Sequence, residues 1–335
     1  MKNFFKNKKI LITGASGSIG KSLVLRLLKT NCNVIRAFSN DENGLHELSE
    51  SIDGAYFVDL EKSMYKNKIR YVYGDVKDFE KCLEVSKDID IIINAAAMKH
   101  VPMCEYNSVE ATRVNVNGAE NLVRAANINK CDLFLQISTD KVVDANSCLG
   151  ATKLLAEKIV INAGSIRGSK TKFSCVRFGN VIGSRGSVLP KFIKLIKSNI
   201  NLPITDKEMT RYFMTINDAT DLIISSLINS NGSEIFIPKK MASFKILDLA
   251  KALLDIFKSS KSKVVYIGIR KGEKIKEELA TQEELNYIRV KKNYAFINKN
   301  LKESKSFPIK NDNFNNLQLL DVNKIIFYLK KNKLV

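Results

Sequence analysis

The sequence predicts an α/β protein, a Rossmann-type doubly wound parallel sheet with a smaller C-terminal substrate-binding domain. Three observations carry this. Short, near-continuous apolar runs alternate with amphipathic stretches through the first half, the pattern of a parallel sheet covered on both faces. A glycine-rich turn stands between the first run and the first helical stretch. At 335 residues, 45% hydrophobic and 27% charged, the chain has ordinary globular composition and the length for more than one structural unit.

Taken in order, the runs at 8–13 (KKILIT), 33–38 (NVIRAF), 70–74 (RYVYG), 90–94 (DIIIN), 133–138 (LFLQIS) and 173–178 (FSCVRF) read as strands. Helices are expected between them at 19–29, 44–51, 78–86, 108–126 and 148–163. Beyond about Gly179 the alternation loosens into shorter helices and isolated strands. The expected division is a dinucleotide-binding domain over 1–178 and a mainly substrate-binding domain over 179–335, with 216–237 returning to the first.

Composition excludes several classes. The six cysteines are scattered without a C-x-x-C pair, as in a reduced cytoplasmic protein. Two histidines, His46 and His100, without a carboxylate–histidine cluster argue against a metal site. No apolar run reaches the ~20 residues of a membrane helix, and the basic N-terminus lacks the apolar core of a signal peptide. The net charge of +19 comes from lysines set singly at amphipathic spacing, with no basic run interleaved with aromatics. Solvated faces and an anionic small substrate explain that charge; a nucleic acid or a membrane surface is not expected.

The glycine-rich turn is Gly14-Ala15-Ser16-Gly17-Ser18-Ile19-Gly20. Its glycines allow a tight turn, close approach to a pyrophosphate and packing of helix on strand, and the helix N-terminus presents free N–H groups to the anion. Dinucleotide binding is the expectation. An acidic residue ending the second strand would hold the ribose 2′-hydroxyl of NAD. Here stand Ser39-Asn40, with Arg36 before them and Asp41-Glu42 after. That leans slightly towards NADP over NAD, because a 2′-phosphate wants hydroxyl, amide or guanidinium donors. Asp75 after the third strand reads either as an acceptor for the adenine amino group or as a helix N-cap, with Val76 beside it. Asn94 and the small residues Ala95, Ala96 and Ala97 let a cofactor lie close to the backbone. Lys99 and His100 follow at the edge where ligands of such sheets bind. The cofactor-side set also takes in Asn115.

Ser138-Thr139-Asp140-Lys141 ends the fifth strand, and Leu149-Gly150-Ala151-Thr152-Lys153 opens a helix. Here the chain resembles the extended short-chain dehydrogenase/reductase superfamily, whose hallmark is Tyr-x-x-x-Lys on this helix after a Ser/Thr. Lys153 takes the lysine position and Leu149 the tyrosine position, and residues i and i+4 share a helix face. The strings AAAMKHVPMCEYN, STDK, LGATKLLAEK, VRFGNVIGSRGSVLP, EMTRYFMT and GIRKGEKIKEEL look together like the nucleotide-diphospho-N-acetylglucosamine 4,6-dehydratases of bacterial surface-glycan synthesis, over about residues 8 to 284. Two departures stand out. Leu149 is neither the Tyr nor the Met that the family carries, and Asp144-Ala145 replaces the usual Asn-Pro.

That resemblance implies a tightly bound, recycled NADP or NAD and a UDP- or GDP-GlcNAc substrate. Hydride leaves sugar C4, a neutral Lys141, its proton affinity lowered by nearby Lys153 and the cofactor, removes the proton at C5, and protonated Asp140 donates to the departing C6 hydroxyl. The hydride then returns to C6. Thr139 and Lys153 complete the catalytic set. Asn180, Arg185, Arg211, Arg270 and Glu273, with Lys99 and His100, are the implied substrate ligands, since guanidinium forks suit a diphosphate. Arg177 is the arginine of this group best suited to a structural role. A homo-oligomer is expected, because extended members commonly pair through two long helices. A nucleotide-sugar 4-epimerase or ketoreductase is the alternative on the same fold. A catalytically inactive, cofactor-sensing protein is the alternative of another class.

Overall fold

The computed structural model describes residues 3–53, 65, 67–165, 169–301 and 319–335. Six strands, β1 (Lys9–Thr13), β2 (Val34–Ser39), β3 (Ile69–Tyr73), β4 (Ile91–Asn94), β5 (Leu133–Ile137) and β6 (Lys172–Val176), lie side by side and parallel. Their apolar runs are near-continuous because both faces are buried. The helices α1 (Ser18–Leu28) and α2 (Glu42–Asp53) cover one face, and α3 (Phe79–Ser86) the other. Two short helices, α4 (Val101–Tyr106) and α5 (Ser108–Thr112), precede α6 (Gly118–Ile128) and α7 (Cys148–Ala163); α6 and α7 complete the layer that α3 begins.

The second half is interleaved with the first. It contains β7 (Asn180–Val181), α8 (Val188–Lys197), β8 (Leu202–Ile204), β9 (Thr210–Met214), α9 (Ile216–Asn229), β10 (Ile235–Pro238), β11 (Ala242–Lys245), α10 (Ile246–Ile256), β12 (Val264–Tyr266), α11 (Gln282–Leu285), β13 (Ile288–Val290), β14 (Tyr294–Ile297) and α12 (Val322–Lys331). The helix α9, started by a Thr215–Asp218 capping box, joins α1 through Ser22–Thr220 and Arg26–Asp221 contacts of 2.8 Å each. After it, β10 pairs parallel with β6, and β14 and β13 extend the same sheet antiparallel, giving the order β13-β14-β10-β6-β5-β4-β1-β2-β3. A separate core under α8, α10 and α12 holds the small sheets β11-β9-β7 and β12-β8.

The expected single helix over 108–126 is interrupted by a π turn at Arg113–Asn117. A π turn widens the helix by one residue and often marks a functional site; here it carries Asn115 inward. Among the described residues no helix is long and apolar enough to cross a membrane, and no group of side chains has the makings of a metal site.

Arg177 holds the halves together. It is 1% exposed, follows β6, and forks onto Glu157 of α7 (2.8 and 3.2 Å), onto Glu284 of α11 (2.9 and 3.2 Å) and onto the carbonyl of Leu279 (2.8 Å). The guanidinium holds the Glu284 carboxyl below the ordinary glutamate range, against the upward push of burial. Arg177→Ala should therefore strand two buried carboxylates and cost about 3–5 kcal/mol, read as a lower urea midpoint. Because the folded-state pKa of Glu284 is depressed, its contribution is present above the unfolded-state value and lost as pH falls through the folded one. The gap between wild type and Arg177→Ala should thus narrow on acidification below the usual carboxylate range. A gap that stays constant to the acid-unfolding point would contradict this.

Candidate active site

Parallel strands bring all their C-terminal ends to one edge, and the loops leaving β1, β2, β4 and β5 build the site there. Gly14 sits at φ +61°, and a Cβ on it would lie 2.8 Å from the backbone of Ala95 and Ala96. A Cβ on Gly20 would collide with the backbone of Gly14 and Ala15. Gly17, the N-cap of α1, makes no side-chain cap, and the first turn holds no acidic residue. The uncapped helix end and bare backbone form a cradle for a pyrophosphate, so the residues fit a dinucleotide cofactor. Thr13, Asn94 and Gln136 stiffen the floor: Thr13 Oγ1 donates to Asn94 Oδ1 and accepts from the Ala96 amide at 3.2 Å, while Asn94 Nδ2 donates to Gln136.

At the end of β2, Ser39 Oγ meets Ser16 Oγ at 2.8 Å, and Asn40 donates to Asp75 at 3.0 Å. Asp75 also accepts from the Lys77 amide, closing a turn, while Val76 packs its side chain against Gly118. Arg36 departs from expectation. Its guanidinium runs to the carbonyls of Val85 and Lys87 at the C-terminal end of α3, at 2.8 and 2.7 Å, and so caps a helix instead of facing the dinucleotide edge. Asp41 occupies the edge in its place: the Gly44 amide and Arg185 hold its carboxyl below the ordinary aspartate range.

Arg185, expected on the substrate side, lies over the glycine turn. Its amide donates to Ser18 Oγ at 2.9 Å, its guanidinium lies 3.1 Å from Asp41, and its carbonyl accepts from Lys99 at 2.8 Å. The loop that carries it, with Gly183 and Gly186 at φ +79° and +76°, crosses the glycine turn and seats His100 against Gly186. Partial burial and the Arg185 charge push the Lys99 amine down, and burial with the same cations pushes His100 down.

After β5 stand Thr139, Asp140 and Lys141. Thr139 accepts from the Lys141 amide and donates to Asp140 Oδ1 at 2.9 Å. Asp140 is fully buried, with Lys141 Nζ 2.9 Å from the same oxygen. Lys141 Nζ further reaches Asn180 Oδ1 at 3.3 Å and Glu277 Oε1 at 3.7 Å. It faces these carboxylates, while Lys153 donates to the Ile137 carbonyl at 2.6 Å. Burial pushes the Lys153 amine down to about 8. Leu149, one turn before it, is buried with Cys104 and Ala111. Asn115 holds Met98 through both amide atoms, at 2.9 and 3.1 Å, and donates to Thr152 at 3.1 Å.

Beside the cluster, a cavity of about 290 Å³ is lined by Thr210, Arg211, Tyr212, Ser243, Lys276, Glu277 and Leu319. Arg211 is nearly buried, donating to the carbonyls of Thr210 and Ile275. Arg270 is half-exposed and paired with Glu273, 3.5 Å apart. The Ser138, Asp140 Oδ2, Ser187 and Glu277 Oε2 oxygens are buried without a hydrogen-bond partner, and each belongs to a segment that meets here. Orphaned polar atoms concentrated at one edge point to a ligand. Sequence reading missed Glu277, which nothing local distinguishes from its neighbour Glu278.

The cradle yields a direct test. Gly14→Ala forces a Cβ into the Ala95–Ala96 backbone at a left-handed position, so nicotinamide dinucleotide binding should weaken at least tenfold by fluorescence titration while the far-ultraviolet circular dichroism stays native. Binding within twofold of wild type would place the dinucleotide elsewhere.

Comparison with known proteins agrees with this architecture. A family model described as "Polysaccharide biosynthesis protein" matches residues 10–299. A UDP-N-acetylglucosamine 4,6-dehydratase (inverting) of Campylobacter jejuni is 39% identical over 301 residues, covering 89% of this chain and 85% of its own. A protein named UDP-glucose 4-epimerase from Rickettsia bellii is also 39% identical, over 298 residues, covering 85% and 83%. Among solved structures, Pen from Bacillus thuringiensis superposes with a TM-score of 0.87 at 33% identity, covering 98% of each chain. With the nicotinamide-type cradle and the Asp140–Lys141 pair in place, the chain belongs to the polysaccharide biosynthesis protein family, an extended short-chain dehydrogenase/reductase of the dehydratase type.

Proposed function

We propose that this protein is a nucleotide-sugar 4,6-dehydratase, converting UDP-N-acetylglucosamine to its 4-keto-6-deoxy product with loss of water, for surface-glycan synthesis. The Asp140–Lys141 pair carries the reading: an acid and an amine 2.9 Å apart at the end of β5, beside Lys153 and the dinucleotide cradle. A C4 epimerisation, the activity named for the Rickettsia relative, moves hydrogen at one carbon and has no use for such a pair.

Held at the Gly14–Gly20 cradle, a nicotinamide dinucleotide would supply the two-electron chemistry, a hydride taken from C4 and given back at C6. Everything else falls to the chain. Lys141 removes the proton at C5, acidified by the new C4 ketone. Asp140 donates to the C6 hydroxyl as it leaves; its Oδ2 is buried with no hydrogen-bond partner within the chain. Lys153, anchored on the Ile137 carbonyl, positions the cofactor ribose. With leucine at 149, the C4 hydroxyl proton goes to a water, to Lys153, or to Thr139 as that hydroxyl hands its own proton to Asp140 Oδ1. Arg211, Arg270 and Asn180 hold the diphosphate side, Arg270 being oriented by Glu273. At the adenosine end the Asp41 carboxylate accepts from a ribose 2′-hydroxyl. With Arg36 turned away, NAD is favoured over NADP.

Exposed Met103, Tyr106, Val109 and Leu155, on the adjoining helices α4, α5 and α7, support pairing of two copies. The enzyme is proposed to act in the cytoplasm, where nucleotide sugars are made.

Incubated with UDP-N-acetylglucosamine and no added reductant, the purified protein should form a product lighter by one water, with solvent deuterium at C5. An isomer of unchanged mass would establish epimerisation instead. Lys141→Ala should lose C5 exchange and product by ~10²–10⁴-fold while still reducing bound cofactor on substrate addition. Near-normal C5 exchange in that variant would remove Lys141 from the mechanism.

A further inference from the structure

Glu277 is a titratable group of the site that the reaction above does not use. It is 4% exposed, and its position is imposed. Two residues before it, the Ile275 carbonyl accepts from Arg211 at 3.2 Å and from the Thr210 amide at 2.9 Å. Two residues after it, the Leu279 carbonyl accepts from Arg177 at 2.8 Å. Lys274, just upstream, donates to the Val143 carbonyl. A segment pinned on both sides holds one carboxylate against the amine of Lys141. Glu277 Oε1 is 3.7 Å from Lys141 Nζ and 3.9 Å from Arg211 Nη2, while Oε2 is buried with no partner.

The charged groups facing this carboxylate are Lys141 and Asp140 from the end of β5, Arg211 from β9 and Lys274 from its own loop. Burial and Asp140 raise its proton affinity; the three cations lower it, and the balance lies above the ordinary glutamate value. A half-satisfied buried carboxylate next to a base is an arrangement that couples their protons.

We propose that Glu277 is a positioning residue that aims Lys141 and sets its proton affinity. The ionised carboxylate holds Nζ between Asp140 and Asn180 as the ammonium. Passing that proton from Nζ to Glu277 Oε1 leaves the neutral amine that C5 abstraction requires. The balance closes within the site: the C5–H bond breaks as an N–H bond forms on Lys141, the ammonium exchanges its protons with solvent, and one of them returns to C5 once C6 has received its hydride. Removing the Glu277 charge destabilises the ammonium, so Lys141 should become basic at lower pH.

This inference rests on the dehydratase reading, and the experiment separates the two. Wild type and Glu277→Gln are incubated with UDP-N-acetylglucosamine in deuterated buffer across pH, and C5 exchange, product mass, KM and bound cofactor are recorded. Absence of dehydrated product from wild type would defeat the dehydratase reading itself. With wild type active, Glu277→Gln should keep KM and cofactor content within twofold while the acid limb of C5 exchange moves to lower pH by about one unit or more. Glu277→Asp, which withdraws the carboxylate by one methylene, should shift the limb the same way but less, and it serves alone should the glutamine variant not fold. An unmoved acid limb, with or without a raised KM, would overturn the proposal and leave Glu277 a structural or substrate-contacting residue.

Discussion

The buried fork of Arg177 is the constraint from which the active-site geometry descends. One guanidinium, 1% exposed, reaches three parts of the chain distant in sequence: α7 through Glu157, α11 through Glu284 and the Leu279 carbonyl. Glu157 lies one helical turn after Lys153, so the ion pair also sets the rotation of the helix that presents Lys153 to the β5 carbonyls. Leu279 lies two residues after Glu277, so the same fork sets how closely that carboxylate approaches Lys141. Burying one cation with two anions is expensive in itself. What it provides is a rigid connection between the sheet that carries the dinucleotide cradle and the loop that completes the reactive cluster.

The electrostatics of the cluster then follow from position. Asp140 leaves β5 facing inward and is fully buried, so its neighbours are dictated by the fold and not by solvent. Lys141 follows it and turns towards Asn180 and Glu277, which come from β7 and from the loop before α11. Two buried carboxylates thus converge on one part-buried amine. Lys153 sits apart, its amine lowered to about 8 by burial and tied to Ile137. The proposed mechanism accordingly gives ribose positioning and proton chemistry at C5 to different lysines.

Much of this was legible in the amino-acid order. The strands β1 to β6 are short apolar runs that only a doubly covered parallel sheet explains, and the observed ends differ from the expected ones by about two residues at most. The glycine turn and the Asp140–Lys141 pair were legible because their chemistry depends on adjacent residues. What escaped depends on contacts between distant ones. Arg36 stands near the end of β2 in sequence, yet its side chain travels to the carbonyls ending α3. Arg185 lies in a string associated with substrate, but its loop closes on Ser18 and Asp41. The π turn at Arg113–Asn117 has no composition signature, since one extra residue per turn leaves the apolar spacing nearly intact. The strands β13 and β14 extend the sheet from a region without clear alternation.

Leu149 shows how far such a site tolerates the loss of a side chain. Its neighbours Cys104, Ala111, Met98, Val101 and Cys148 form a small apolar cluster, so the position where a phenol would stand is lined for hydrocarbon. A tyrosine there would act through its hydroxyl; a leucine contributes only packing. On the same helix Lys153 is anchored on the Ile137 carbonyl, and Thr152 is bonded to Asn115 on the π turn. In the proposed mechanism the missing acceptor concerns the C4 hydroxyl alone, because the C5 proton and the C6 hydroxyl fall to Lys141 and Asp140 after β5. A dehydratase can absorb that loss where a simple dehydrogenase could not. Its reaction releases the C4 hydroxyl proton and consumes one at the C6 hydroxyl, so a site rich in exchangeable protons balances both without a dedicated phenol. The cluster of Asp140, Lys141 and Glu277, with Thr139 bonded to its inner oxygen, is such a site.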